Sequence, residues 1–240
     1  MAITKKIIPS ANLLLSSLPL RARQDFIKFC EPVYLVFSET LNKSGDPVSH
    51  VYFPINSFIS LVAPIDSQTS MEVGMVGNEG MIGLNLALGV KYSLLRSLVQ
   101  GAGSALRMDA TRFLQVFEKS TALQQKLRAY AYVRMNQLAQ TIGCNRFHLV
   151  DSRLACWVLM SHDCAHSDEF VITHEFLSYM LGVRRASITK SAGILQKNKL
   201  ISYNRGRLKI LNRSGLEAVS CGCYKVNKET YKKIMGGTKV

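Results

Sequence analysis

The chain has 240 residues, 48% of them hydrophobic, and carries 30 Lys and Arg against 16 Asp and Glu, a formal net charge of +14. The length suits one or two domains, each able to bury its own core, and two is the expectation. The excess charge is uneven: residues 1–120 hold 11 basic and 9 acidic side chains, residues 121–240 hold 19 and 7. A basic half lowers the free energy of approach to a polyanion by releasing condensed counterions, so nucleic acid is the leading partner. No stretch reaches the roughly eighteen apolar residues of a spanning helix, and Ile7-Ile8-Pro9-Ser10 does not read as a secretory signal. We therefore expect a cytoplasmic protein with no membrane partner.

From the N-terminus, Leu13, Leu14 and Leu18, then Phe26, Ile27 and Phe29, predict one or two short helices broken at Pro19. The pattern changes at Val33. Runs rich in Val, Ile, Tyr and Phe recur at Val33–Phe37, His50–Phe53, Ser57–Val62, Glu72–Val76 and Ser97–Met108, bounded by turn residues. Short strands at this spacing predict a sandwich or barrel. Gly74, Gly77, Gly80 and Gly83 repeat every three residues, which reads as turns between strands, or as a backbone held open for an anion. It is not a GxGxxG fingerprint.

Asp109 is placed to cap a helix, and after Ser120 few breakers follow before Gly143. Leu127, Ala131, Met135, Leu138 and Ile142 form a stripe at helical spacing, broadened by Leu123, Tyr130 and Val133. A face this broad needs two neighbours: the barrel of its own chain, and either the same helix of a second chain, which is favoured, or another element of its own chain, since an ordinary buried helix would look identical; Arg134 and Gln137 interrupt a clean heptad seam. Residues 147–166 predict another helix, with Leu149, Leu154, Trp157, Val158 and Met160, and Asp163–Asp168 a polar connection.

Residues 171–211 carry the chemistry. Thr173 can cap a helix holding Phe176, Leu177 and Met180, with Glu175 at the positive end of its dipole, and Gly182 ends it. A second helix from Arg184 to about Asn198 completes a helix-turn-helix. On it Ile188, Ala192 and Leu195 share one side, and Ala186, Thr189, Lys190, Gly193 and Lys197 the other. The outer side is small, polar and basic, as a DNA groove requires. Arg184 and Arg185 stand at the helix start, where a guanidinium fork can bind guanine O6 and N7 together. By angle alone Arg185 leans towards the packed side. Leu200–Tyr203 and Leu208–Leu211 flank Asn204-Arg205-Gly206-Arg207 as a tight hairpin, a wing whose Arg205 and Arg207 can touch phosphates. Lysines 225, 228, 232, 233 and 239 predict a short C-terminal helix and tail with non-specific phosphate contact.

Cysteines 30, 144, 156, 164, 221 and 223 contain no CxxC pair and read as reduced thiols. His162, Cys164 and His166, and Cys221-Gly-Cys223, lack the spacing of a structural zinc site, so no metal site is assigned.

Gly182-Val183-Arg184-Arg185-Ala186-Ser187-Ile188, followed by Leu195-Gln-Lys-Asn-Lys-Leu-Ile201, resembles the helix-turn-helix of the Crp/Fnr family of bacterial regulators. The resemblance is specific over 171–211 and looser over the rest of 12–223. It implies an α+β chain: an N-terminal jelly-roll β-roll of the cyclic-nucleotide-binding kind (1–110), a dimerisation helix and hinge (111–145) and a winged helix-turn-helix (146–240). It gives Arg185 a base-reading role, Ser187 a phosphate contact and Lys190 the place of a second basic reader. Ala186 stands where many relatives have an acid, so their half-site does not carry over. The implied partners are double-stranded DNA, a second copy of the chain and RNA polymerase.

His50–Pro54 is similar to a strand motif of the family's β-roll, Asn78–Gly83 to the start of its phosphate cassette and Arg96-Ser97 to the cassette's phosphate-binding pair, which implies an effector pocket around Gly83, Leu84, Arg96 and Ser97. Leu84, followed by Asn85, replaces the Glu that holds the ribose hydroxyl of cyclic AMP. An unpaired buried hydroxyl costs about 1–3 kcal/mol, so cyclic AMP is not the expected effector. No N-terminal cysteine cluster supports an iron–sulfur sensor. Haem or a metal stays open through His50, His148, His162, His166 and His174, and no cofactor is identified. Two other classes compete: an enzyme, for which no P-loop, HExxH or GxSxG motif is found, and a ligand-binding module acting through a protein partner.

Overall fold

The computed structural model describes residues 12–66 and 69–236; Ile7–Ser10 and Lys239, read above, lie outside them. Two short helices, α1 (Leu13–Ser16) and α2 (Leu20–Ile27), are separated at Pro19, whose fixed φ suits the residue that opens α2. Asn12 pins α1 to the roll: its fully buried side chain donates to Pro54 O (2.9 Å) and Gly80 O (3.0 Å) and accepts from Leu15 N.

The β-roll is two antiparallel sheets. In one, β1 (Glu31–Leu35), β7 (Gly103–Asp109) and β3 (His50–Pro54) lie in that order. In the other, the order is β2 (Thr40–Asn42), β6 (Arg96–Gly101), β4 (Phe58–Pro64) and β5 (Ser70–Val76). Leu35, Tyr52, Ile59, Val76, Val99 and Ala105 pack between them. The run expected as one strand, Ser97–Met108, is two, and β2 was not expected. A short helix, α3 (Leu84–Ala87), follows Gly83, which holds a left-handed φ of 90°.

Asp109 Oδ1 accepts from Thr111 N and Arg112 N and starts α4 (Ala110–Lys119). Ser120 caps α5 (Thr121–Phe147), which runs straight past Gly143. Leu123, Leu127, Tyr130 and Val133 of α5 are buried with Phe26, Phe53 and Phe113 against the roll. After His148, α6 (Val150–Ala165) leads into the winged helix. There α7 (His174–Leu181) and α8 (Arg185–Lys197) pack on a three-stranded sheet of order β8 (Glu169–Val171), β10 (Arg207–Ile210), β9 (Ile201–Asn204). Asp163–Ala165, expected in a connection, belong to α6, which His166 closes at φ 50°.

Helices α9 (Arg213–Val219) and α10 (Cys223–Met235) end the described chain. The C-terminal helix was expected, but not its course. Met235 joins the core formed by Phe113, Leu123 and Leu127, Tyr231 and Ile234 pack beside it, and Tyr231 OH donates to Glu79 O at 2.7 Å. Among the described residues no helix is long and apolar enough to cross a membrane.

Candidate nucleic-acid interface

Thr173 opens the helix-turn-helix as expected: its Oγ1 accepts from Phe176 N at 3.1 Å. Gly182 ends α7 at φ 63°, a backbone that a Cβ would strain, and its N–H and that of Val183 close the helix on Tyr179 O and Ser178 O. Ile188, Ser191, Ala192 and Leu195 bury the inner face of α8 in one core with Leu154, Leu177, Leu208 and Leu216. Ser191 donates to Asp151 Oδ1, which fixes α8 on α6.

The opposite face is open. Arg184, Arg185, Ala186, Thr189, Lys190 and Gly193 are exposed, Ser187 is half-buried, and a Cβ built on Gly193 would meet nothing within 4 Å. Arg185, expected from angle alone to lean inward, is exposed with the rest. The wing turns through Arg205 (φ 47°) and Gly206 (φ 79°), the paired left-handed conformation of a two-residue hairpin. Arg205 and Arg207 are both exposed.

One linkage joins these parts. His174, first in α7, stacks on Tyr203 of the wing with centroids 4.4 Å apart, and its Nδ1 lies 3.1 Å from Thr189 Oγ1 of α8. Tyr203 OH donates to Ile172 O at 2.6 Å, and Ile172 N to Gly206 O at 2.7 Å. Burial, with the nearby charge of Arg185, lowers the His174 pKa. Helix starts and wing tip therefore form one surface bearing Thr173, Arg184, Arg185, Lys190, Arg205 and Arg207. Thr189, expected as an outward donor, uses its hydroxyl on Arg185 O and His174. Its part in the surface is to hold α7 against α8, a partnership that helical angles do not reveal.

The residues expected around an effector each have contacts within the protein. Ser97 is buried in β6, opposite Leu61 and Asn42. Gly83 lies against Val51, and Leu84 packs on the core beneath α5. Arg96 points to the winged helix: its Nη2 donates to Tyr179 OH of α7 at 2.7 Å, and Ser70 of β5 shares that hydroxyl. Asn85 closes the loop after α3 through Val90 O and Tyr92 O.

The glycine run does more than mark turns. Cβ atoms at Gly74, Gly77 and Gly80 would meet Arg134, Cys164 and Tyr130 at 2.6, 2.7 and 1.9 Å. These glycines are clearance for α5 and α6. Arg134, expected to interrupt a dimer seam, turns away from it and donates to Met75 O (2.9 Å) and Gln137 Oε1 (2.6 Å).

Further contacts dock the winged helix on the roll. Trp157 Nε1 donates to Glu72 Oε1 at 3.1 Å, and Ser60 bonds the other oxygen of this buried carboxylate. Burial raises the Glu72 pKa to about 7 against these bonds and Arg134. Between the roll, the end of α6 and α10 lies a cavity of about 740 Å³, lined among others by Glu79, His162, Asp163, Tyr224, Lys228 and Tyr231.

His162, Cys164 and His166, weighed together as metal ligands, diverge. His162 bonds Asp168 Oδ1 (2.6 Å) and Arg213, and Cys164 is buried against Gly77. Cys221 and Cys223 instead meet Cys144 and His148, a grouping that chain spacing did not suggest. His50 lies 3.0 Å from Ser49 Oγ.

Residues 152–219 match the Crp-like helix-turn-helix domain family. A search of curated proteins finds no match. Solved structures with the same fold include a protein assigned to the Crp/Fnr regulators from Eubacterium rectale, with TM-score 0.65 and 15% identity over 86% of this chain and 96% of that one. FixK2 from Bradyrhizobium japonicum gives 0.67 and 10% over 80% and 98%. A CRP-family transcriptional regulator from Thermus thermophilus gives 0.65 and 14% over 78% and 96%. Likenesses at these identities establish the fold.

Proposed function

For a chain with the fold of the Crp/Fnr regulators, whose residues 152–219 match a Crp-like helix-turn-helix domain, we propose a sequence-specific DNA-binding transcription regulator acting as a homodimer. The observation that carries this reading is the single exposed surface of Arg184, Arg185, Lys190, Arg205 and Arg207, with a flat track at Ala186 and Gly193. Arg185 reads a base edge in the major groove, Lys190 stands where it can reach a second, and Ser187, Thr173 and the wing arginines hold phosphates. A DNA target implies action in the bacterial cytoplasm.

The dimer reading rests on α5. Its roll-facing side is filled, while Tyr132, Met135, Leu138 and Ile142 remain exposed at helical spacing, with Phe147 and Leu149 beyond them. Joining two such seams about a two-fold axis sets two recognition helices on half-sites one helical turn apart, roughly 34–36 Å. An effector entering the roll near Ser97 works through Arg96, because the guanidinium that would meet its negative charge already holds Tyr179 of α7. Such a ligand shifts the protein only as far as it binds the docked and released arrangements with different affinity.

Selection from random duplex DNA at about 150 mM salt, where non-specific binding is weak, tests the proposal. The expected result is a palindrome with half-sites one turn apart. Failure to enrich any sequence, with the purified protein folded and dimeric, would overturn it.

A further inference from the structure

At the end of α5 three thiols and an imidazole converge. His148, which follows the last residue of α5, donates its backbone N–H to Cys144 O at 3.1 Å, so both residues stand at the helix end. Cys221, in the link between α9 and α10, and Cys223, the first residue of α10, follow more than seventy residues later. Their four donor atoms all lie within 4.8 Å of one another. Cys144 Sγ is 3.6 Å from Cys221 Sγ, and Cys223 Sγ is 3.4 Å from His148 Nδ1.

Those separations suit a tetrahedral ion. Bond lengths of about 2.3 Å to sulfur and 2.0–2.1 Å to nitrogen place two sulfurs about 3.8 Å apart, and sulfur and nitrogen about 3.6 Å apart. The Cys144–Cys221 and Cys223–His148 pairs would open by about 0.2 Å, and a pair at the 4.8 Å limit would close by about 1 Å. Three thiolates with one imidazole form a soft, four-membered donor set, which favours zinc over magnesium, calcium or manganese and leaves no position for a reacting water. Outer contacts are in place: Gln140 Nε2 donates to Cys223 Sγ at 3.2 Å, and α10 begins at Cys223, so the positive end of its dipole stands beside the sulfurs. Cys221 and Cys223 are buried and His148 is exposed, which gives an ion a side from which to enter.

We propose that Cys144, His148, Cys221 and Cys223 bind one zinc(II) ion per chain. The ion clamps the end of α5 to the start of α10. These two points flank the winged helix in sequence, so the clamp fixes the base from which the DNA-binding unit leaves the long helix. The site is independent of whether DNA is the target.

The test uses the full chain without an affinity tag that binds metal, purified without chelators from zinc-supplemented cells. Elemental analysis should find about one zinc per chain, and cobalt(II) replacing it should give the intense visible bands of a tetrahedral thiolate site. His148→Ala, at an exposed position, should keep the wild-type circular dichroism yet release zinc at a chelator concentration at least about tenfold lower, since losing even an outer partner of a ligand costs about 10- to 100-fold in affinity. Cys223→Ser should lose the metal, and Cys30→Ser, in the roll, should keep it. Zinc below about 0.2 per chain without cobalt bands would overturn the proposal. So would zinc indifferent to both ligand variants, iron with sulfide in its place, or a Cys144–Cys221 disulfide in protein purified under reducing conditions. If His148→Ala fails to fold, the wild-type cobalt spectrum decides.

Discussion

Replacing Ile142 by aspartate puts a carboxylate in the middle of the exposed seam of α5. The side chain touches little in its own chain, being 72% exposed, as is Met135 two turns away at 67%. Folding of the protomer should therefore be almost indifferent to the change. Dimerisation should not be. Fully burying an isoleucine contributes about 1.5–3 kcal/mol, and with most of it left to bury, and each substitution counted twice by the two-fold axis, the loss is about 2–4 kcal/mol. That raises the dimer Kd by roughly 30- to 1,000-fold, and desolvating two facing carboxylates adds to it. Sedimentation velocity over a concentration series measures the Kd, with circular dichroism to verify the fold. A wild-type Kd for Ile142→Asp, or a wild-type chain that is monomeric at every concentration, would refute the dimer reasoning.

Three further outcomes follow from the geometry. Because burial raises the Glu72 pKa to about 7, the folded protein holds that proton more tightly than the unfolded chain. This contribution to stability is complete below the ordinary carboxylate range and is lost progressively as pH rises from there through about 7; the Tm should fall between about pH 5 and 7 and level off above, and Glu72→Gln should flatten that dependence. Asn12→Ala removes the partner of two buried carbonyls and one amide, and denaturant unfolding should show a loss of about 1–3 kcal/mol or more. Arg205→Ala and Arg207→Ala should each weaken DNA binding about equally on all sequences and lower the slope of log K against log salt by about 1, measured by fluorescence anisotropy.

Much of this architecture was legible from local chemistry. Asp109, Thr173 and Gly182 act as caps because side-chain oxygens before a helix and a left-handed glycine after it are local solutions to unpaired backbone groups. The Arg205-Gly206 turn and the two faces of α8 follow equally from nearest neighbours. What escaped depends on distant contacts. Strand β2 has three residues and no alternation to see. The run 97–108 read as one strand because both β6 and β7 are apolar and only Gly101-Ala102-Gly103 divides them. The stripe on α5 looked like one face, yet Leu127 and Ala131 enter the roll while Met135, Leu138 and Ile142 do not. The glycine period invited an anion, and its reason is the side chains of Arg134, Cys164 and Tyr130 arriving from elsewhere. Arg96 was placed by resemblance beside a phosphate, and it reaches Tyr179 more than eighty residues away. The cysteine and histidine cluster joins positions 144–148 to 221–223, which spacing rules built on neighbouring cysteines do not register.

The central claim is that the start of α8 reads bases while the wing only holds the backbone. The most direct measurement is the affinity of wild-type and Arg185→Ala protein for the selected site and for every single base-pair variant of one half-site, at fixed salt. The account expects Arg185→Ala to lose discrimination of about 1–3 kcal/mol at a single guanine-bearing position per half-site and to leave the other preferences in place. Arg185→Ala protein that is folded and weakens on every sequence alike, or does not weaken at all, would contradict it.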